Sequence, residues 1–161
     1  MSQHRLWVYG DDVNTDVIFP GKHTYTLKSP QDIASVALED LDPTFAGGVQ
    51  AGDIVVGGRN WGCGSSREQA VTALKYAGVG MIIARSFNGL YLRNCINQGV
   101  QPVVLPDWDG WQTGDVVTLN REAWTLAAGD RRYDLPRLPE SVQAIIDAGG
   151  LVPMLRERFG G

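Results

Sequence analysis

The sequence predicts an α/β fold, and three observations carry that prediction. First, the apolar run Asp53-Ile54-Val55-Val56 feeds a glycine-rich segment, then a stretch with apolar residues at helical spacing, then a second apolar run at residues 79–84, which is the order of a βαβ unit. Second, the pattern repeats once more, with a helix over about residues 88–98 and a strand at Val103-Val104-Leu105. Third, beyond residue 115 it changes to short strands joined by tight turns. No repeat, charge block or Ser/Pro-rich linker interrupts the 161 residues, so one domain spanning residues 1–161 is expected.

Taken in order, Leu6-Trp7-Val8-Tyr9 reads as a strand running into a polar loop over residues 10–16. Val17-Ile18-Phe19 continues a β-rich start and is stopped by Pro20-Gly21. Ser29 reads as an N-cap with Pro30 at the first helical position, and Ile33, Ala34, Ala37, Leu38 and Leu41 form one apolar face reaching to Pro43. After the strand at 53–56, a helix is expected over residues 65–77, with Ala70, Ala73, Leu74 and Ala77 inward and Gly78 as its stop. Gly99 ends the next helix. Val116-Val117-Thr118-Leu119, Trp124-Thr125-Leu126 and Arg132-Tyr133-Asp134 supply hairpin strands around a Gly129-Asp130 turn, and two short helices flank Gly149-Gly150.

Composition removes several classes of function. Lys and Arg total 14 against 18 for Asp and Glu, so no basic field draws the chain to nucleic acid. The longest apolar runs are far short of the roughly 20 residues that cross a membrane. No charged n-region with an apolar core opens the sequence, so the expected location is cytoplasmic. The two cysteines, Cys63 and Cys95, form no C-x-x-C pair, which excludes a disulfide scaffold or a metal centre built from this chain's thiols.

Chemistry concentrates in Gly57-Gly58-Arg59-Asn60-Trp61-Gly62-Cys63-Gly64-Ser65-Ser66-Arg67-Glu68. The glycines free backbone N–H groups to face a ligand, Ser65 and Ser66 add hydroxyls, and Arg67 offers a planar fork that matches a carboxylate. With a helix N-terminus expected at the same place, the segment reads as an anion site. Gly57 and Gly62 have the Walker-like gap, but Cys63-Gly64 stands where Lys and Ser/Thr are needed, and the dinucleotide fingerprint fails because Arg67 replaces its third glycine. Ser65-Ser66-Arg67-Glu68 also satisfies a capping box, with Ser65 bonding the Glu68 N–H. On the residues by themselves, capping and a reactive serine both stand.

Residues 58–68 resemble the signature of the aconitase-family swivel domain, in its stand-alone form as the small subunit of 3-isopropylmalate dehydratase and homoaconitase. The resemblance extends to Gly10-Asp11-Asp12-Val13-Asn14-Thr15-Asp16 with Pro20-Gly21, to Ala84-Arg85-Ser86-Phe87 and to Arg93-Asn94-Cys95-Ile96-Asn97-Gln98-Gly99, covering roughly residues 5 to 106. It implies a swivel-type β/β/α domain with a mixed sheet. The implied activity is a hydro-lyase that moves a hydroxyl between adjacent carbons of a hydroxy-carboxylate. The implied cofactor is a [4Fe–4S] cluster carried by a large subunit, in a heterodimer or heterotetramer. Carried over by position, Ser65 resembles the base that removes a proton beside a carboxylate, and Arg67 the group that stabilises its alkoxide and clamps the substrate. Gly64 and Ser66 match substrate-contacting positions, and Asp16 a carboxylate that orients a histidine of the partner. Lys22, His23, Thr24 and Tyr25 fall in the loop that senses the substrate's variable group. Lys22 and His23 suit a carboxylate there, whereas Tyr25 suits an apolar group. Homoaconitase is the alternative within the class, and a stand-alone carboxylate-binding regulatory module the alternative outside it.

Other residues have plainer readings. Asp12, Asn14 and Asp16 sit at the first three offsets of a calcium loop, but Val17 replaces the required glycine and His23 the bidentate glutamate. An Asx turn is expected at Asp12. Cys63 reads as a small packing residue near the site, Cys95 as core, Trp61 as a residue lining the site, and Trp108, Trp111 and Trp124 as core or interface.

Overall fold

Consecutive apolar residues in a strand send side chains to both faces of a sheet, so both faces must be covered. In the computed structural model, which describes residues 1–65 and 67–160, they are covered by different means. Ser2–Val8 (β1), Ile54–Gly57 (β2), Met81–Ala84 (β3) and Gln101–Val104 (β4) pair in parallel. Val116–Asn120 (β5) joins β1 antiparallel, followed by Thr125–Ala128 (β6) and Arg131–Asp134 (β7), giving the order β4-β3-β2-β1-β5-β6-β7.

Trp7, Val55, Ile82 and Ala84 pack on one face with Ile18, Ile33, Phe45, Ala70, Leu74, Tyr91 and Cys95, residues carried by or beside the helices. On the other face, Leu6, Ile54, Val56, Met81 and Ile83 pack with Val117, Leu119, Leu126, Tyr133 and the three C-terminal tryptophans. The sheet therefore curls, and its antiparallel half covers the face that helices leave open. Trp108, Trp111 and Trp124 are core residues, each 8% exposed.

The helices are Thr15–Ile18 (α1), Pro30–Ser35 (α2), Phe45–Gly48 (α3), Gln69–Tyr76 (α4), Gly89–Asn97 (α5), Glu140–Asp147 (α6) and Leu151–Phe159 (α7), with a 3-10 turn at Gly21–His23. Among the described residues no helix is long and apolar enough to cross a membrane. The expected βαβ unit is β2-α4-β3, with Ile54 opposite Met81 and Val56 opposite Ile83.

Three elements differ from expectation. Residues 17–18 belong to a helical turn instead of an extended run, because the Asn14 side chain caps it by accepting from the Val17 N–H at 3.0 Å. The second helix stops at Ser35, well before Pro43. Leu38 adopts φ +57° and donates its N–H to the Ile18 carbonyl at 2.9 Å, so a tertiary bond replaces the next helical one. Finally, α4 begins at Gln69, and its N-cap, Glu68, makes no side-chain capping bond. The capping box does not form, and Ser65 is left for other partners.

Candidate active site

In a parallel sheet, ligands gather beyond the C-terminal strand ends. Here the three loops leaving β1, β2 and β3 close on one another there. Gly58 N–H donates to Gly10 O at 2.9 Å, Asp12 N–H to Arg59 O at 2.8 Å, Gly62 N–H to Val13 O at 2.8 Å and Thr15 N–H to Cys63 O at 2.8 Å. From the other side, Arg85 N–H donates to Gly58 O at 2.9 Å and Trp61 N–H to Ser86 O at 3.0 Å. Motifs separated by some 50 to 70 residues of sequence thus form one backbone mesh, with the 58–65 segment in the middle.

Glycine is required at two points of that mesh. Gly62 has φ +80°, and a Cβ there would stand 2.2 Å from the Tyr91 ring. Gly64 has φ +99°, and its Cβ would stand 3.2 Å from Thr15 Oγ1. Both backbones sit where side chains are strained, and at Gly62 a Cβ would also overlap the Tyr91 ring outright, whereas at Gly64 it would only crowd Thr15.

Ser65 emerges exposed at the end of this segment. Its Oγ lies 3.1 Å from Thr15 Oγ1 and accepts a bond from Arg67 Nε at 3.1 Å. The remaining guanidinium nitrogens are also engaged: Nη1 donates to Thr24 Oγ1 at 2.8 Å, and Nη2 pairs with Asp16 Oδ1. Gln69 Nε2 donates to the Thr24 carbonyl at 3.2 Å, which ties the 21–26 loop to the start of α4. Gly21 lets the Arg67 and Asp16 side chains meet, because a Cβ there would stand 3.1 Å from Arg67 Nη1 and 3.2 Å from Asp16 Oδ1.

Ser65, Arg67, Asp16, Gly64 and Thr24 are therefore brought together. Ser66 lies outside the described residues. Lys22 and His23 turn to Glu39 instead, with His23 Nε2 at 2.8 Å and Lys22 Nζ at 3.8 Å from its Oε1. Tyr25 is 87% exposed beside Thr24. The oxygens of Asp12, Asn14 and Asp16 go to three different partners, Asn60, the Val17 N–H and Arg67, so they do not converge as calcium ligands. Asp12 reaches across to the Asn60 side chain at 3.0 Å where a local Asx turn was expected. Trp61 is fully buried, so it packs beneath the loop and does not line the site.

Sequence reasoning missed Thr15, Glu39 and Gln69. Thr15 sits between the cap Asn14 and Asp16, and that position was its one available signal; nothing marks Glu39 or Gln69 before the chain folds.

The chemistry this allows is narrow. A histidine-activated serine or cysteine is not available from this chain. His4 lies on β1 against Ser2 Oγ at 2.7 Å and the Gly52 carbonyl, and His23 is committed to Glu39. Cys95 is fully buried, and burial pushes its thiol well above the usual range, which makes it inert. What remains is an exposed hydroxyl beside a fixed guanidinium, a pair that favours negative charge on the oxygen.

The profile of the family described as the aconitase C-terminal domain matches residues 24–108. The chain is 42% identical over 158 residues to a 3-isopropylmalate dehydratase small subunit from Heliobacterium modesticaldum, covering 96% of this chain and 94% of that one. It is 41% identical over 156 residues to 3-isopropylmalate dehydratase small subunit 1 from Methanopyrus kandleri, covering 94% and 91%. The crystal structure of a 3-isopropylmalate dehydratase from Methanocaldococcus jannaschii superposes with a TM-score of 0.90 at 37% identity, over 97% of this chain and 93% of that one.

Proposed function

The chain belongs to the aconitase C-terminal domain family, and from that premise we infer that it is the small subunit of a 3-isopropylmalate dehydratase, a hydro-lyase completed by a large subunit. The observation that carries this reading is a half-built site. Ser65, Gly64 and Asp16 lie exposed on the surface around a guanidinium held by Ser65, Thr24 and Asp16, so a second protein surface must close over them to exclude water.

Ser65 acts as the base. Its alkoxide takes the proton from the carbon beside a substrate carboxylate and becomes a neutral hydroxyl. The C–H electrons form the double bond, and the C–O pair leaves with the hydroxyl as hydroxide, which becomes water on taking a proton from an acid on the large subunit's side of the site. Rehydration runs the same steps backwards with the hydroxyl on the other carbon. A serine oxygen holds negative charge only among donors, and Arg67 Nε is one. Two of the five guanidinium N–H groups remain beyond those bound to Ser65, Thr24 and Asp16, and these receive the substrate carboxylate. Asp16 serves the partner's side of the site once the large subunit is docked.

The family's [4Fe–4S] cluster does not fit this chain. The chain has two cysteines where three thiolates are needed, Cys95 is buried, and no group of three or more His, Cys, Asp or Glu gathers among the described residues. The cluster is assigned to the large subunit. Substrate choice follows from the 21–26 loop: Glu39 draws Lys22 and His23 to itself, while Tyr25 stands exposed. The loop therefore accepts an apolar substituent in preference to a further carboxylate, which favours isopropylmalate over homocitrate. Purified chain, assayed with and without a cluster-bearing large subunit on isopropylmalate, citraconate and homocitrate, tests this. The expected result is no turnover by the chain alone and a preference for isopropylmalate by the pair. Turnover by the lone chain, or a pair active only on homocitrate, overturns the assignment.

A further inference from the structure

The sequence pattern gives Thr15 no role, yet it is the side chain the fold presses against Ser65. Thr15 is 1% exposed, a burial that a hydroxyl tolerates only with a partner. Its Oγ1 lies 3.1 Å from Ser65 Oγ. Everything around that hydroxyl is fixed. The Thr15 N–H is bound to the Cys63 carbonyl at 2.8 Å and its own carbonyl to the Phe19 N–H at 2.9 Å. Asn14 caps the turn that carries it. A β-branched side chain has few χ1 choices, so a locked backbone locks the hydroxyl. Gly64 leaves room for it, with the position of the missing Cβ 3.2 Å away.

Arg67 Nε can only donate, so Ser65 Oγ accepts on that side, while between Ser65 and Thr15 either hydroxyl can be the donor. Once Ser65 is ionised it has no proton to give, and the Thr15 hydroxyl donates to it. The alkoxide then has two donors in place, and bonds to an ionised oxygen are the stronger kind.

We propose that Thr15 is a positioning residue for the reaction: it fixes the Ser65 rotamer while the serine is neutral and supplies the second donor once it is ionised. This rests on the reading of Ser65 as the base. The test compares Thr15→Val, which keeps the shape and removes the hydroxyl, with Thr15→Ser, which does the reverse, each in complex with the large subunit. Ser65→Ala is prepared alongside.

Loss of one preorganised donor lowers kcat by about 10²-fold, with KM within about twofold because substrate binding does not use Thr15. Thr15→Ser restores most of kcat. Substrate deuterated at the carbon that gives up the proton shows a larger isotope effect with Thr15→Val than with wild type, a change that packing damage would not produce. Thr15→Val/Ser65→Ala is no slower than Ser65→Ala, since the two side chains act as one unit. Wild-type kcat in Thr15→Val, or a Thr15→Ser enzyme as slow as Thr15→Val, overturns the proposal while leaving Ser65 in place. A Ser65→Ala enzyme that keeps its activity overturns the reading of Ser65, and this inference with it.

Discussion

Arg67→Lys keeps the charge and removes the geometry, so it separates a fork from a field. In the structure one planar guanidinium serves three acceptors in three directions: Ser65 Oγ through Nε at 3.1 Å, Thr24 Oγ1 through Nη1 at 2.8 Å and Asp16 through Nη2. A lysine has one nitrogen, and the nearest carboxylate, that of Asp16, is where it will settle. The bonds to Ser65 and Thr24 are then lost. Removing a single donor to a developing oxyanion costs about 10²–10³ in kcat, or about 2.7–4 kcal/mol. Losing the fork for the substrate carboxylate costs roughly a further tenfold in KM, about 1.4 kcal/mol. The fold should barely respond, because the Arg67 side chain is 23% exposed and its Asp16 partner 71%, and ion pairs this open contribute at most about 1 kcal/mol. Steady-state kinetics of the reconstituted pair, with a denaturant melt of the small subunit by itself, measure both quantities. A raised KM and a lowered kcat together, on an unchanged melt, are expected. If Arg67→Lys turns over within threefold of wild type, the argument from guanidinium geometry is wrong and the residue acts as a charge alone.

Two further outcomes follow from the same framework. Gly64→Ala and Gly62→Ala both place a side chain at positive φ, a strain of about 1–3 kcal/mol, but only Gly62→Ala also drives its Cβ into the buried Tyr91 ring. Denaturant melts should find Gly62→Ala much the less stable, while Gly64→Ala folds and loses activity as it crowds Thr15 Oγ1; equal melts for the two refute the account of the mesh. Asp53 reports on pH. Burial by itself would raise its carboxyl, but bonds from Trp7 Nε1, the Gln50 N–H and Arg5 outweigh that and hold it below the usual carboxylate range. A lowered folded value means that its contribution is full above about pH 4 and is lost as pH falls through the folded value. Asp53→Asn should cost about 1.5–3 kcal/mol at pH 7, and the gap to wild type should narrow below pH 4; a pH-independent gap counts against the network.

The sequence by itself determined the βαβ unit, the curled sheet's apolar strands and the loop that carries Ser65 and Arg67. Those signals are local: runs of apolar residues, glycines where the backbone turns, and a dense motif whose residue types fit one chemistry. Local signals also misled, and in a consistent way. Ser65-Ser66-Arg67-Glu68 spells a capping box, yet α4 starts at Gln69 and Ser65 Oγ is bound by Arg67 within the motif and faces Thr15, a partner that no nearby spacing announces. The apolar face of residues 33–41 spells a longer helix, yet the Ile18 carbonyl takes the Leu38 N–H and ends it. Trp61 lies within the loop motif but is buried beneath it. Lys22 and His23 look free for a ligand in the sequence and both face Glu39 in the fold, because Glu39 arrives from another segment. A residue's type and its neighbours along the chain decide what it can bond. Which of those bonds it makes is decided by what the fold brings within about 3 Å, and for Thr15 and Ser65 that meeting across 50 residues exists only in the tertiary structure.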